Sequence, residues 1–89
     1  MAILLIQHHV KDYAEWKKVF DSVSSLRKSS GELSAQVYRG VSDPNAVTVL
    51  NKWDSLANAQ KFAQSPDLKA AMEKAGVDVP PVVSFLNEA

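Results

Sequence analysis

The sequence predicts an α+β fold of the ferredoxin-like type, a four-stranded antiparallel sheet with its helices on one face. Strand-like and helix-like segments follow one another in the order β-α-β-β-α-β, and turn residues join the two middle strands. Two split β-α-β units in this order interleave into one such sheet. No linker or repeat interrupts the 89 residues, so we expect a single domain spanning residues 1–89.

The first predicted strand is "AILLIQHHV", residues 2–10, which opens on an apolar, β-branched run. Because side chains alternate along a strand, Ile3 and Leu5 point to one face of the sheet. Leu4 and Ile6 point to the other face. Both faces of this strand are therefore apolar at their start, and both need cover.

A single long helix is predicted next. Asp12 is its N-cap and Glu15 follows three residues later, as in a capping box. Gly31 ends it in a left-handed conformation. Hydrophobic side chains recur between these ends at helical spacing, namely Tyr13, Trp16, Val19, Phe20, Val23 and Leu26.

The second half of the chain is predicted to hold a hairpin, a broken helix and a last strand. The runs "ELSAQVYRG" and "AVTVLNKW" pair around a turn of Asp, Pro and Asn. The second helix begins at Asp54 or Ser55 and restarts at Ser65-Pro66, where serine is the N-cap and proline the first helical residue. Gly76 ends it, and "VVSFL" follows two prolines as a short strand.

The composition argues against several classes of protein. Ten basic and ten acidic residues cancel, so no surface for nucleic acid is indicated. The longest apolar run, residues 3–6, is far too short to cross a membrane, and the amino terminus lacks a secretory signal pattern. The chain has no cysteine for a disulfide or a thiolate metal site. We expect a cytoplasmic protein with neither nucleic acid nor membrane as a partner.

The sheet face that the helices leave bare is predicted to be an interface. Its apolar residues favour cover by a second copy of the chain, since two-fold homodimers are the commonest assembly. The alternative is a monomer with an apolar sheet surface. The sequence therefore predicts a homodimer.

The chain's two histidines are adjacent, at His8 and His9. Neighbouring strand residues point to opposite faces, so the pair cannot hold one ion together, and no metal site is predicted. His8 has the same parity as Leu4 and Ile6. At the mouth of a pocket it would be a base, because the pKa of imidazole lies near neutrality. The alternative is a structural histidine that hydrogen-bonds a neighbouring loop.

Four further residues are candidates for a site. Trp16 belongs to the apolar stripe of the first helix and is either core or part of an aromatic ligand cage. Trp53 ends a strand beside a helix start, where an indole packs the core and edges a cavity. Asn51 and Tyr38, on the hairpin strands, are candidates to orient a substrate oxygen; a surface or interface role is the alternative. No phosphate loop, nucleophile elbow or zinc-protease motif is present, and no cofactor is predicted.

Three segments carry a resemblance to a known family: "HHVKDYAEWKKVFDS", "VTVLNKWDSLANAQKFAQSPDLKAAMEKAGV" and "PPVVSFLNE". They resemble the dimeric α+β barrel superfamily, and within it small proteins similar to antibiotic biosynthesis monooxygenases. The resemblance covers essentially the whole chain. It implies a homodimeric barrel with a ligand between sheet and helices. Members include cofactor-independent monooxygenases that act on quinols or polyketide aromatics, haem-degrading enzymes and polyketide cyclases.

The resemblance also marks individual positions. Haem-degrading members use an asparagine on the first strand, a tryptophan ending the third strand and an axial histidine on the second helix. Trp53 matches the tryptophan, but the asparagine position falls at Gln7 or His8. The axial position falls at Met72, which disfavours haem degradation. Many monooxygenase members have a histidine where this chain has Phe62, which weakens the monooxygenase assignment.

The sequence thus predicts a protein that binds a small aromatic or hydrophobic ligand. The implied activity is a cofactor-independent monooxygenase acting on a small aromatic or enolisable substrate, with His8 as base and Asn51 and Tyr38 as orienting groups. The alternative is a binding or scaffold dimer without turnover. The residues predicted to bind the ligand are Trp53, Phe62, Met72 and Trp16.

Overall fold

The computed structural model describes residues 2–74, 76–77 and 81–88. The sheet has the order β2-β3-β1-β4, and every pairing in it is antiparallel, which confirms the predicted ferredoxin-like fold. None of the helices in this part of the chain is long and apolar enough to cross a membrane. The elements are β1 (Ala2–His9), α1 (Tyr13–Ser22), α2 (Ser24–Ser29), β2 (Glu32–Arg39), β3 (Ala46–Trp53), α3 (Leu56–Ala63), α4 (Pro66–Lys74) and β4 (Val82–Asn87).

The two faces of the sheet differ in what covers them. Strand β1 lies between β3 and β4, and its even-numbered residues, from Ala2 to His8, are buried beneath the helices. We call this the covered face. The opposite side, the open face, carries a cluster of apolar side chains because Leu5 pairs with Leu50 and Ile3 with Leu86. The structure therefore confirms the prediction that Leu4 and Ile6 point to one face of the sheet and Ile3 and Leu5 to the other.

The prediction of one continuous first helix is wrong. The helix is interrupted at Val23, whose φ of −101° and ψ of 13° lie outside the helical region, so α1 and α2 are separate. The hydroxyl of Ser22 donates to the carbonyl of Val19 at 2.7 Å. Such local serine bonds compete with the helical backbone, and a β-branched residue adds to the weakness of the turn.

The predicted helix boundaries are otherwise confirmed. The Asp12 carboxylate accepts from two backbone N–H groups at the start of α1. Ser55, rather than Asp54, caps α3, and the predicted restart at proline begins α4. Gly31 has a φ of +114°, and a Cβ built there would lie 2.5 Å from Asp54 Oδ1. Glycine is therefore required where the helix pair turns into β2.

The hydrophobic core lies between the covered face and the helices. Leu4 and Trp53 are fully buried in it, and the Trp53 ring packs on Phe62 with centroids 5.0 Å apart. Full burial of a leucine side chain stabilises a fold by about 1.5–3 kcal/mol. Helix α4 differs from the others because none of its described residues is buried. The core is thus tight beneath α1 and α3 and looser beneath α4.

Candidate functional site

A small cavity of about 50 Å³ lies between the covered face and the helices. Most of its lining is aliphatic or aromatic, which suits an apolar ligand. The sheet contributes the only two polar side chains that β1 and β3 place there, His8 and Asn51. The helices contribute, among others, Trp16, Phe20, Arg27, Phe62, Leu68 and Met72.

His8 is buried at one wall of the cavity with 8% of its surface exposed. Its ring lies against Trp16, with centroids 5.5 Å apart. Neither ring nitrogen has a hydrogen-bond partner among the described residues. Burial lowers the pKa of His8, so the imidazole is neutral at neutral pH and offers one acceptor nitrogen and one N–H donor. A neutral imidazole with a free nitrogen can accept a proton from a molecule in the cavity.

A buried ion pair stands behind Asn51. Arg27 and Glu32 are both buried, with Arg27 Nε 3.0 Å from Glu32 Oε2. The Asn51 amide nitrogen, Nδ2, donates to the same carboxylate, while the Asn51 carbonyl oxygen, Oδ1, has no partner among the described residues. Arg27 also donates to the Phe20 carbonyl, and its guanidinium lies 3.7 Å from the Phe20 ring centroid. The network thus holds the Asn51 amide in place and leaves its carbonyl oxygen without a hydrogen bond among the described residues.

Arg27 and Glu32 were not singled out from the sequence. A charged residue near a helix end or at a strand start is normally solvated, so the sequence did not predict that either residue is buried at the site. A signal was nevertheless present, because Arg27 falls seven residues after Phe20 and four after Val23. That spacing places it on the apolar face of the helical segment, where a lone charge needs a buried partner.

The structure brings five of the predicted site residues to the cavity. They are His8, Asn51, Trp16, Phe62 and Met72. Trp53 is adjacent but does not line the cavity, because it lies beneath Phe62 at the far end of β3. Its indole N–H has no partner among the described residues.

The structure does not bring Tyr38 to the cavity. Tyr38 pairs with Thr48, whose parity is opposite to that of Asn51, so the phenol lies on the open face. Its hydroxyl donates to Gln36 at 3.1 Å. His9 also faces the open side, with Nε2 3.2 Å from Asp43. The described residues contain no group of three or more His, Asp or Glu side chains placed to hold a metal ion.

A comparison with known protein families gives a match over most of the chain. The family model for antibiotic biosynthesis monooxygenases matches residues 2–74. The chain belongs to this family. The resemblance seen in the sequence is thereby confirmed, and the family's model reaches from β1 to the end of α4. A search of the curated proteins found no match.

Solved structures show the same fold. SnoaB, a cofactor-independent oxygenase from Streptomyces nogalater, is 12% identical with a TM-score of 0.81, and the match covers 99% of this chain and 92% of that one. A Bordetella bronchiseptica protein named for the same family is 19% identical with a TM-score of 0.81, covering 99% and 97%. A Caulobacter crescentus protein of that name is 21% identical with a TM-score of 0.78, covering 99% and 89%. At these identities the likeness shows the fold.

The burial of His8 predicts a pH dependence of stability. Because burial lowers the pKa of His8, the folded protein binds fewer protons at this residue than the unfolded chain does. This difference in proton binding does not change the free energy of unfolding above the ordinary histidine pKa of about 6.5. As the pH falls from there through the lowered pKa, it makes the folded protein progressively less stable. Between pH 7.5 and pH 5.5, urea unfolding should show a larger loss of unfolding free energy for the wild type than for His8→Leu.

A matched control is available in the neighbouring histidine. The variant His9→Gln removes the half-exposed imidazole on the open face and leaves His8 in place. Because His9→Gln retains His8, it should still show the fall in unfolding free energy between pH 7.5 and pH 5.5 that is caused by His8 and is missing from His8→Leu. Equal losses in wild type and His8→Leu would show that His8 does not titrate differently on folding.

Proposed function

We propose that this protein is a cofactor-independent monooxygenase for a small aromatic or enolisable substrate bound in the cavity, with His8 as the base. The observation that carries the proposal is the buried His8 imidazole, which burial keeps neutral and which lines a mostly apolar cavity. Neither of its nitrogens has a hydrogen-bond partner among the described residues. Membership of the family supports it, and so does the shared fold with a cofactor-independent oxygenase.

The reaction needs only a base and a water-poor site. The free nitrogen of His8 takes a proton from the substrate, giving an electron-rich carbanion or enolate. This anion passes one electron to molecular oxygen, and recombination of the resulting pair forms a carbon–oxygen bond. The His8 imidazolium returns the proton to give a hydroperoxide. Loss of water then leaves a carbonyl, so one oxygen atom enters the product and the other leaves as water.

The wall formed by α4 is where a ligand would enter. The cavity of about 50 Å³ is smaller than a typical ligand pocket of about 300–1,000 Å³, so side chains must move to admit a substrate. Leu68, Ala71 and Met72 form the part of the lining that comes from α4, the helix with no buried residue. Methionine adapts readily to new shapes, which favours displacement at this wall.

Oxygen uptake tests the proposal. Purified protein without added cofactor is incubated with mono- and dihydroxylated aromatics of one and two rings, and oxygen consumption is followed against the protein-free rate. We expect uptake above autoxidation for a subset of compounds, with one atom of labelled oxygen in the product. Compounds that bind without any uptake above autoxidation would contradict the monooxygenase proposal.

That contrary outcome would favour the second candidate function, a binding protein without turnover. One observation supports it: the cavity between sheet and helices, lined in part by Phe62, Met72 and Trp16, has a volume of only about 50 Å³. Phe62 stands at a position where the resemblance leads us to expect a histidine in many monooxygenases. In this case His8 would serve as a hydrogen-bonding group for the ligand only.

We also propose that the protein is a homodimer joined through the open face. Ile3, Leu5, Leu50 and Leu86 form a contiguous apolar cluster there, since they are paired across β3, β1 and β4. An antiparallel sheet that faces water on one side normally alternates apolar with polar residues. The cluster departs from that rule at the centre of the sheet, where a second copy would cover it.

A further inference from the structure

The Glu32 carboxylate fixes which way the Asn51 amide points. An ionised carboxylate is only a hydrogen-bond acceptor, so Asn51 must turn its amide nitrogen toward Glu32. Its carbonyl oxygen is then the amide atom left without a partner among the described residues, at a side chain that lines the cavity. Asn51 is 2% exposed, so bulk water does not compete for that oxygen. The cavity therefore presents a fixed acceptor at this position.

Arg27 is the ion-pair partner of this carboxylate. A buried carboxylate is tolerated in a protein where a cation and hydrogen-bond donors pair with it. Arg27 Nε is 3.0 Å from one carboxylate oxygen and 3.3 Å from the other. The guanidinium is itself held against the ring and carbonyl of Phe20. The two opposite charges of the pair cancel, so the pair adds no net charge to this part of the protein.

We infer that Arg27 and Glu32 are positioning residues that set Asn51 as a hydrogen-bond acceptor, and that the cavity therefore selects a neutral ligand with a hydroxyl group over the same ligand with that group methylated. A hydroxyl satisfies the Asn51 oxygen, whereas an ether or carbonyl leaves it unpaired at a buried position. The inference rests on the proposed function only in placing a small molecule in the cavity; turnover is not required.

Binding of phenol and of anisole, its methyl ether, tests the inference. Each compound is titrated into the protein, and the indole N–H signal of Trp16, which lines the cavity, is followed by nuclear magnetic resonance. The readout is the ratio of the two dissociation constants. We expect the wild type to prefer phenol by more than tenfold, with His8 and Asn51 each contributing to the preference.

Two variants isolate the share of Asn51. In Glu32→Gln the N–H of the new amide can donate to the Asn51 carbonyl oxygen. That oxygen is then no longer held as an unpaired acceptor for the ligand. In Asn51→Leu the acceptor is gone, and this variant keeps the test open if Glu32→Gln fails to fold. The preference for phenol over anisole should fall about tenfold in each, equivalent to about 1.4 kcal/mol. The surface variant Asp21→Asn, which breaks only the exposed pair with Lys17, should keep the wild-type ratio.

The outcomes separate the inference from the proposed function. If both compounds bind and the ratio is unchanged in Asn51→Leu, or if Glu32→Gln weakens both compounds by the same factor, the positioning role is refuted while the cavity remains a ligand site. If neither compound binds the wild type at millimolar concentration, the inference and the proposed ligand site fail together. A selective loss of the phenol preference in the two variants supports the inference.

Discussion

The variant His8→Leu should lose turnover and, at the same time, be more stable than the wild type. Removal of a positioned general base typically lowers a rate about 10²- to 10⁴-fold. The gain in stability follows because the two ring nitrogens are buried without partners among the described residues. An unsatisfied buried polar group costs about 1–3 kcal/mol, and a leucine of similar size would avoid that cost.

The two effects are measured separately, by oxygen uptake with a substrate found active on the wild type and by urea unfolding at pH 7.5. The control is His9→Gln, which alters the neighbouring histidine on the open face and should keep the wild-type rate. Retained turnover in His8→Leu would rule out His8 as the base. Lower stability would show that His8 has a structural role, which the sequence left open as its alternative.

Two adjacent leucines should respond in opposite ways to the same substitution. Leu4→Asp should unfold the subunit, because Leu4 is fully buried on the covered face. The variant loses about 1.5–3 kcal/mol of hydrophobic burial and adds several kcal/mol for a buried charge, comparable with the whole stability of a small domain, about 5–15 kcal/mol. Leu5→Asp places its charge on the open face, opposite Leu50, and should leave the subunit folded but separate the proposed dimer.

Circular dichroism reports the folding of each variant, and sedimentation velocity reports its mass. Each substitution is the other's control, since the chemistry is the same and only the sheet face differs. A wild type that sediments as a monomer at all concentrations would refute the homodimer. A Leu5→Asp protein that remains dimeric would place the interface elsewhere on the subunit.

Most of the fold could be predicted from the sequence because the signals are local. Strand periodicity, the Asp12 and Ser55 caps and the glycine after α2 each act within a few residues, and the structure has them where they were expected. The break at Val23 was missed because the apolar stripe continues through it. At this turn the Ser22 hydroxyl bonds the Val19 carbonyl, a local interaction that competes with the helical backbone and that the apolar stripe does not reveal.

The candidate site was only partly predictable. Strand parity placed His8 on the same side as Leu4 and Ile6, which the structure confirms. Parity alone cannot relate one strand to another, so Tyr38 and Asn51 were grouped although they lie on opposite faces of the sheet. Their separation depends on the pairing register of β2 with β3, which sets Tyr38 opposite Thr48.

The sequence by itself determined the order of elements, the two apolar faces of β1 and the family resemblance. Only the tertiary structure decided that Arg27, Glu32 and Asn51 form one buried network beside the cavity. The reason is physical: patterns along a chain record which face of its own element a side chain occupies. A hydrogen bond between residues 19 positions apart, such as that from Asn51 to Glu32, depends on how the elements pack together.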